Sequence, residues 1–124
     1  MARILLIEPD ALLGDIYRQT LVRAGHTVVW VKTAENGITE LDKTRADVVV
    51  LELLLAVHNG VEFLYEMRSY TEWQGISVLL HTDVLKSVLP SLALAQLGIS
   101  HYLYKPTTSL EQFAKSVERV LLRA

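Results

Sequence analysis

The sequence predicts an α/β fold with a doubly wound, five-stranded parallel sheet. Residues 4–7 and 48–51 are apolar throughout, which suits strands that are covered on both faces. Strand-like runs alternate with helix-like stretches five times along the chain. Short connections and right-handed crossovers then make the strands parallel and place helices on both sides of the sheet.

Each predicted strand is followed by a predicted helix with apolar side chains at helical spacing. The strands cover residues 4–7, 27–31, 48–51, 76–80 and 102–104. The apolar face of the first helix consists of Leu13, Ile16, Tyr17, Leu21 and Ala24, and that of the last consists of Leu110, Phe113, Ala114, Val117, Val120 and Leu121. Short polar side chains that can cap the first four helices are Asp10, Thr33, Asn59 (with Glu62 three residues on) and Ser87.

Composition limits the possible functions. The 124 residues are expected to form one domain, 1–124. The composition, with 51% hydrophobic and 21% charged residues, is typical of a globular chain. A net charge of −2 gives this domain no electrostatic reason to bind nucleic acid. Because the chain has no cysteine, no long apolar run and no signal-peptide pattern, we expect no membrane contact and a cytoplasmic location. His58, His81 and His101 lack the close spacing of metal ligands, so we expect no metal site.

Polar and charged residues follow four of the five predicted strands. Glu8, Pro9 and Asp10 follow the first, Glu52 the third, Thr82 and Asp83 the fourth, and Lys105 the fifth. The carboxyl ends of parallel strands meet at one edge of a sheet, where open α/β folds bind ligands. We therefore expect these residues to line one crevice.

Several segments resemble the receiver domain of two-component response regulators. The family's first strand and acidic cluster are matched by ILLIEPD (residues 4–10), its stretch up to the phosphoacceptor strand by TAENGITELDKTRADVVVLEL (33–53), and its fifth strand by YLYKP (102–106). Thr82 matches the hydroxyl after its fourth strand. The resemblance covers essentially the whole chain and implies a flavodoxin-like (βα)5 fold with strand order 2-1-3-4-5.

Two chemically essential positions depart from the family's pattern. In the family an aspartate accepts a phosphoryl group, assisted by Mg²⁺ held by acids after the first strand; here Glu52 stands at the acceptor position and Pro9 at that of the main metal ligand. Asp83 replaces a small residue, whereas Glu8 is a usual choice. Proline offers no oxygen to Mg²⁺, and a misplacement of about 1 Å, as the longer Glu52 would cause, can cost roughly 100-fold in rate. We expect a degenerate receiver, or pseudo-receiver, without phosphorylation or Mg²⁺ binding.

Lys105 then has no phosphate to contact and is expected to pair with Glu52, which would satisfy two partly buried charges. Two interpretations stay open: Glu52 imitates the phosphorylated state, or the pair is purely structural in a domain with one conformation. Thr82 and Tyr102 match the switch residues of the family. Tyr102 is equally well interpreted as a packed aromatic of the strand.

The predicted fourth helix, with Pro90 in its first turn, is more apolar than one core-facing side requires. Its apolar residues are Val88, Leu89, Leu92, Ala93, Leu94, Ala95 and Leu97. This excess indicates a protein partner, although a deeply packed helix is the alternative. The family often binds through this helix, the fifth strand and the fifth helix, so we expect a homodimer or a heterologous complex there. The expected interface residues are Leu94, Leu97, Tyr104, Lys115, Glu118 and Arg119.

The favoured function is therefore a non-catalytic signalling module that binds proteins. One alternative is a working phosphoacceptor that uses another carboxylate, such as Asp10. The other is a small-molecule or nucleotide binder on the same scaffold, although neither G-x-G-x-x-G nor G-x-x-x-x-G-K-[ST] occurs.

Overall fold

The computed structural model describes residues 2–89 and 91–123, with the backbone alone for Leu92 and Ala93. The strands are β1 (Arg3–Ile7), β2 (Thr27–Val31), β3 (Val48–Leu51), β4 (Ser77–Thr82) and β5 (Ile99–Tyr104). They form one parallel sheet in the order β2-β1-β3-β4-β5. The helices are α1 (Ala11–Arg23), α2 (Ala34–Lys43), α3 (Gly60–Ser69), α4 (Ser91–Gln96) and α5 (Leu110–Arg123). The predicted fold class and strand order are confirmed.

Two apolar layers cover the sheet, because alternate side chains of each strand point to opposite faces. On one face, Leu51 and Leu80 pack with Phe63 and Met67 of α3. On the other face, α1 and α5 supply Tyr17, Leu21, Phe113, Val117 and Val120. The central strand β3 is buried along its whole length, as its apolar run predicts.

Strand register brings the polar strand ends together. Ile7 of β1 pairs with Leu51 of β3, and Leu51 pairs with Leu80 of β4. The next residues of β1 and β3, Glu8 and Glu52, therefore leave the sheet side by side. The amide of Glu52 still donates to the carbonyl of Ile7 at 3.0 Å, so the backbone holds this arrangement up to the crevice.

Three of the four predicted helix caps are confirmed. Asp10 accepts from the amide of Leu13 at 2.8 Å and Thr33 from that of Asn36 at 3.1 Å. Asn59 and Glu62 form a complete capping box at the start of α3. These bonds satisfy amides that have no partner within the first helical turn.

The prediction for the fourth helix was wrong at its start. Ser87 lies in a separate 3₁₀ turn, Lys86–Val88, and α4 begins only at Ser91. Leu89 is extended, with φ −92° and ψ 127°, because a residue that precedes proline is disfavoured in the helical region. The predicted role of Pro90 lies outside the described residues.

Other differences concern the edges of elements. Leu97, predicted at an interface, is 5% exposed and belongs to the core. Leu110 and Ala24, predicted on buried helix faces, are exposed because they lie at helix ends. Strand β5 begins at Ile99 instead of residue 102. In the described part of the chain, no helix has both the length and the apolar character needed to cross a membrane.

Candidate functional site

The crevice at the carboxyl end of the sheet is built around one lysine. The Nζ atom of Lys105 lies 2.7 Å from Oε1 of Glu8 and 2.6 Å from Oε1 of Glu52. Asp83 is more distant, with Oδ2 at 3.9 Å from Nζ. The side chains of Lys105, Glu8 and Glu52 are 8%, 3% and 2% exposed. The predicted contact between Lys105 and Glu52 is present, and Glu8 is a second partner that the sequence prediction missed.

Glu52 accepts hydrogen bonds on both carboxylate oxygens. Oε1 receives Lys105 and, at 3.2 Å, the amide of Asp83. Oε2 receives the hydroxyl of Thr82 and, at 3.1 Å, the amide of Leu54. A carboxylate has about four acceptor positions, so the contacts within the chain fill them.

The two buried carboxylates have opposite pKa shifts. Burial raises the pKa of Glu8 above its ordinary value, and the contacts to Lys105 and the amide of Asp10 offset only part of this effect. Burial also opposes ionisation of Glu52, but the bonds from Lys105, Thr82 and the Leu54 amide outweigh burial and lower its pKa. For Lys105, burial is outweighed by the bonds to Glu52 and Glu8, which raise the pKa of the ammonium group. Of the two carboxylates, Glu52 is therefore the one whose ionised form the surrounding contacts favour.

Hydrogen bonds continue from Glu52 towards β5. The hydroxyl of Thr82 donates to Glu52 and accepts from the amide of Val84 at 3.1 Å. The hydroxyl of Tyr102 then donates to the carbonyl of Val84 at 2.5 Å. One connected path thus joins Lys105, Glu52, Thr82, Val84 and Tyr102. It contains both residues predicted as switches, and Tyr102 also packs against the core, so the two interpretations of this side chain are compatible.

The sequence matches the family model of the response regulator receiver domain over residues 4–118. The chain belongs to this family. A similar protein is the transcriptional regulatory protein QseB of Escherichia coli O157:H7, which is 33% identical over 113 residues, or 91% of this chain and 50% of that protein. The chain thus spans about half the length of this curated relative.

Solved structures show the same fold. A sensor protein from Polaromonas sp. JS666 has a TM-score of 0.90 at 17% identity, covering 98% of this chain and 97% of that one. Chemotaxis protein CheY4 of Vibrio cholerae has a TM-score of 0.86 at 22% identity, covering 97% of this chain and 98% of that one. Receiver domains are signalling modules of two-component systems that interact with proteins, and this is the general role of the present chain.

The crevice of this receiver domain does not fit the Mg²⁺ ion that the family uses. Pro9 has no side-chain oxygen, and Asp10 uses Oδ1 to cap α1. Glu8 and Glu52 both hold Lys105, whose ammonium group supplies the positive charge between them. Across residues 2–89 and 91–123, no group of three or more histidine, aspartate or glutamate side chains has a geometry that could hold a metal ion.

The histidines have separate surroundings. His81 is buried in contact with the rings of Tyr17 and Phe113, at centroid distances of 4.7 and 4.6 Å. Burial lowers the pKa of His81 to about 4, with a smaller contribution from Lys105. His58 is exposed, with nitrogens 3.7 Å from Glu35 and 3.3 Å from Glu62.

The predicted interface residues have different roles in the structure. Leu94 packs partly against the core, Tyr104 is half-buried, and Lys115 pairs with Glu111 at 2.8 Å. Glu118 is already bonded to His26, with Oε1 2.6 Å from Nε2, a contact that the sequence prediction missed because the two residues are 92 positions apart. Arg119 is exposed.

Proposed function

We propose that this receiver domain is a pseudo-receiver, which signals through protein contacts and is not phosphorylated at Glu52. The observation that carries the proposal is the filled carboxylate of Glu52, which accepts four hydrogen bonds from Lys105, Thr82 and two backbone amides. A nucleophile must approach the transferring group with a free oxygen, and here both oxygens are engaged. Pro9 and the bridging Lys105 also leave no place for the cation that would neutralise a phosphoryl group.

We further propose that Glu52 takes the part of the phosphoryl group. Its negative charge contacts a lysine, a hydroxyl and backbone amides, which are the kinds of donor that bind an oxyanion. The same contacts continue through Thr82 and Val84 to Tyr102, so the charge at Glu52 is linked to β5. In this proposal the domain stays in one signalling conformation, and its partner, a second copy or another protein, binds through α4, β5 and α5.

Mass spectrometry after incubation with acetyl phosphate and Mg²⁺ tests the proposal. We expect no phosphoryl adduct on the natural chain. The matched control is the double variant Pro9→Asp, Glu52→Asp, which restores a metal-ligand oxygen and the shorter acceptor and is expected to gain the adduct. An adduct on the natural chain, whether at Glu52 or at Asp10, would refute the proposal.

A further inference from the structure

An apolar cavity lies between α3, α4 and the face of the sheet that these helices cover. Its volume is about 200 Å³. Its wall includes Leu53, directly after Glu52, together with Leu64 of α3, Leu80 of β4 and Leu94 of α4. We call it the α3–α4 cavity. Glu8, Glu52 and Lys105 are not among the described residues that line it, so it is separate from the crevice.

The wall of the cavity is rigid on one side and partly open on the other. Leu53, Leu64, Leu80 and Leu97 are buried and belong to one apolar cluster of the core. The rest of the wall comes from half-buried side chains that pack against this cluster, among them Val61, Leu89 and Leu94. A small molecule can therefore reach the cavity between half-buried side chains without unfolding the core.

The cavity also accounts for part of the apolar excess that the sequence shows around α4. Leu89, Leu94 and Leu97 all belong to that apolar segment and line the cavity. Their side chains contribute to an apolar wall that neither the crevice nor its hydrogen-bond path uses.

The lining suits an apolar ligand and excludes a polar one. All of the described lining residues are leucines or valine except Tyr65, whose hydroxyl is the only polar group among their side chains. A buried water needs about two to four polar partners, and a polar ligand would lose its hydration without gaining hydrogen bonds in return. An apolar molecule instead leaves water for contacts with the aliphatic side chains.

The volume limits the size of the ligand. A cavity of about 150 Å³ lined by similar side chains binds benzene, and the α3–α4 cavity is somewhat larger, at about 200 Å³. It is smaller than the roughly 300–1,000 Å³ that is typical of sites for drug-sized ligands and cofactors.

From these observations we propose that the α3–α4 cavity is a binding site for a small apolar molecule, of the size of one aromatic ring with a short alkyl substituent. Such a ligand contacts α3 through Val61 and Leu64 and α4 through Leu94. Its binding favours conformations in which α4 stays at this distance from α3. The proposal goes beyond the proposed function, because it gives the domain an input that does not use the crevice.

An NMR titration of the leucine and valine methyl groups with benzene tests the proposal. We expect saturable shifts for Leu64, Leu80 and Leu97. Leu6 and Leu21, which lie in the apolar layer on the other face of the sheet, should keep their resonance positions. Pyrimidine has a ring of the same size with two nitrogens that need hydrogen-bond partners, and it should bind about tenfold more weakly or worse.

Variants that fill the cavity locate the binding site. Val61→Phe enlarges a side chain of the wall and should abolish saturable benzene binding. The matched control Val22→Phe makes the same change at an exposed position of α1 and should alter the Kd by less than about twofold. Leu94→Phe, with Leu122→Phe at an exposed position of α5 as its control, repeats the test from the side of α4. Circular dichroism verifies that each variant is folded.

Three results would overturn the proposal. The first is the absence of saturable methyl shifts with benzene, which would show that α4 closes onto α3 in solution. The second is equal binding of pyrimidine, and the third is benzene binding that persists in folded Val61→Phe and Leu94→Phe. A phosphoryl adduct in the acetyl phosphate experiment would refute the proposed function and leave the benzene result unchanged.

Discussion

The crevice and the cleft between α4 and β5, whose lining includes Lys86, Leu94, His101 and Tyr102, differ in how their charges are balanced. In the crevice, one lysine serves two buried carboxylates, and all four acceptor positions of Glu52 are occupied. In the cleft, Lys86 is exposed, and neither aspartate nor glutamate is found among the described lining residues. Charges are thus balanced within the chain at the crevice and left exposed at the cleft, although one hydrogen-bond path, which ends at Tyr102, links the two sites.

Removing the shared cation should disturb the crevice most. Lys105→Met leaves Glu8 and Glu52 buried without their partner, and breaking a buried ion pair in this way costs about 3–5 kcal/mol. Urea denaturation should show this loss in the free energy of unfolding. Arg119→Met, at an exposed position of α5, should leave the unfolding midpoint nearly unchanged. Equal midpoints for the two variants would contradict the difference in charge balance between the two regions.

Lowering the pH should reduce the free energy of unfolding through His81, beside the crevice, more than through His101, in the cleft. The unfolded chain binds a proton on His81 near pH 6.5, but the folded chain does so only near pH 4. The stability that neutral His81 provides is therefore lost as the pH falls through this window, by about 3 kcal/mol.

Urea denaturation as a function of pH should show a shallower decline for His81→Phe, which keeps the aromatic contacts with Tyr17 and Phe113. Comparison with the natural chain cancels the carboxylates common to both. His101 is a half-buried residue of the cleft. His101→Phe should therefore keep most of the pH dependence of stability that the natural chain shows. If the stability of His81→Phe fell with pH as steeply as that of the natural chain, this buried histidine would not be the source of the acid sensitivity.

The hydrogen bonds that leave Glu52 should matter less than the ion pair. Thr82→Val removes the hydroxyl between Glu52 and the amide of Val84, and a buried group left without its partner costs about 1–3 kcal/mol. Thr82→Ser keeps the hydroxyl and should recover much of that loss. Thr107→Val, which removes an exposed hydroxyl bond to Tyr104, should change the free energy of unfolding by less than about 0.5 kcal/mol. Similar losses of stability for Thr82→Val and Thr107→Val would contradict a specific role of the hydrogen-bond path through Thr82.

The sheet and the composition of the crevice could be predicted because their signals are local. The apolar run of β3 and the polar residue directly after it place Glu52 at the carboxyl edge. The same reasoning places Lys105 near Glu52. It did not show that Glu8, 97 positions from Lys105, shares the ammonium, because strand alternation does not determine which of two neighbouring carboxylates a lysine reaches.

Element ends were harder to predict, since tertiary packing competes there with local pattern. The apolar run after Ser87 predicted a helix, but the backbone before Pro90 is extended at Leu89. Leu97 was assigned to an interface from the apolar excess of its segment and from the resemblance to the family, whereas the structure buries it in one apolar cluster with Leu64 and Met67 of α3. The contact between His26 and Glu118 joins residues 92 positions apart, which no periodicity indicates.

Isothermal titration calorimetry with Mg²⁺ and beryllofluoride tests the central claim most directly, because this oxyanion analogue needs both the free acceptor and the metal. For the natural chain we expect no saturable binding heat at millimolar Mg²⁺. The carboxylate of Glu52 already accepts hydrogen bonds from donors of the chain, and Pro9 provides no ligand oxygen. The Pro9→Asp, Glu52→Asp variant should bind the pair. Saturable binding by the natural chain would contradict the claim that its crevice is closed to the family's phosphoryl chemistry.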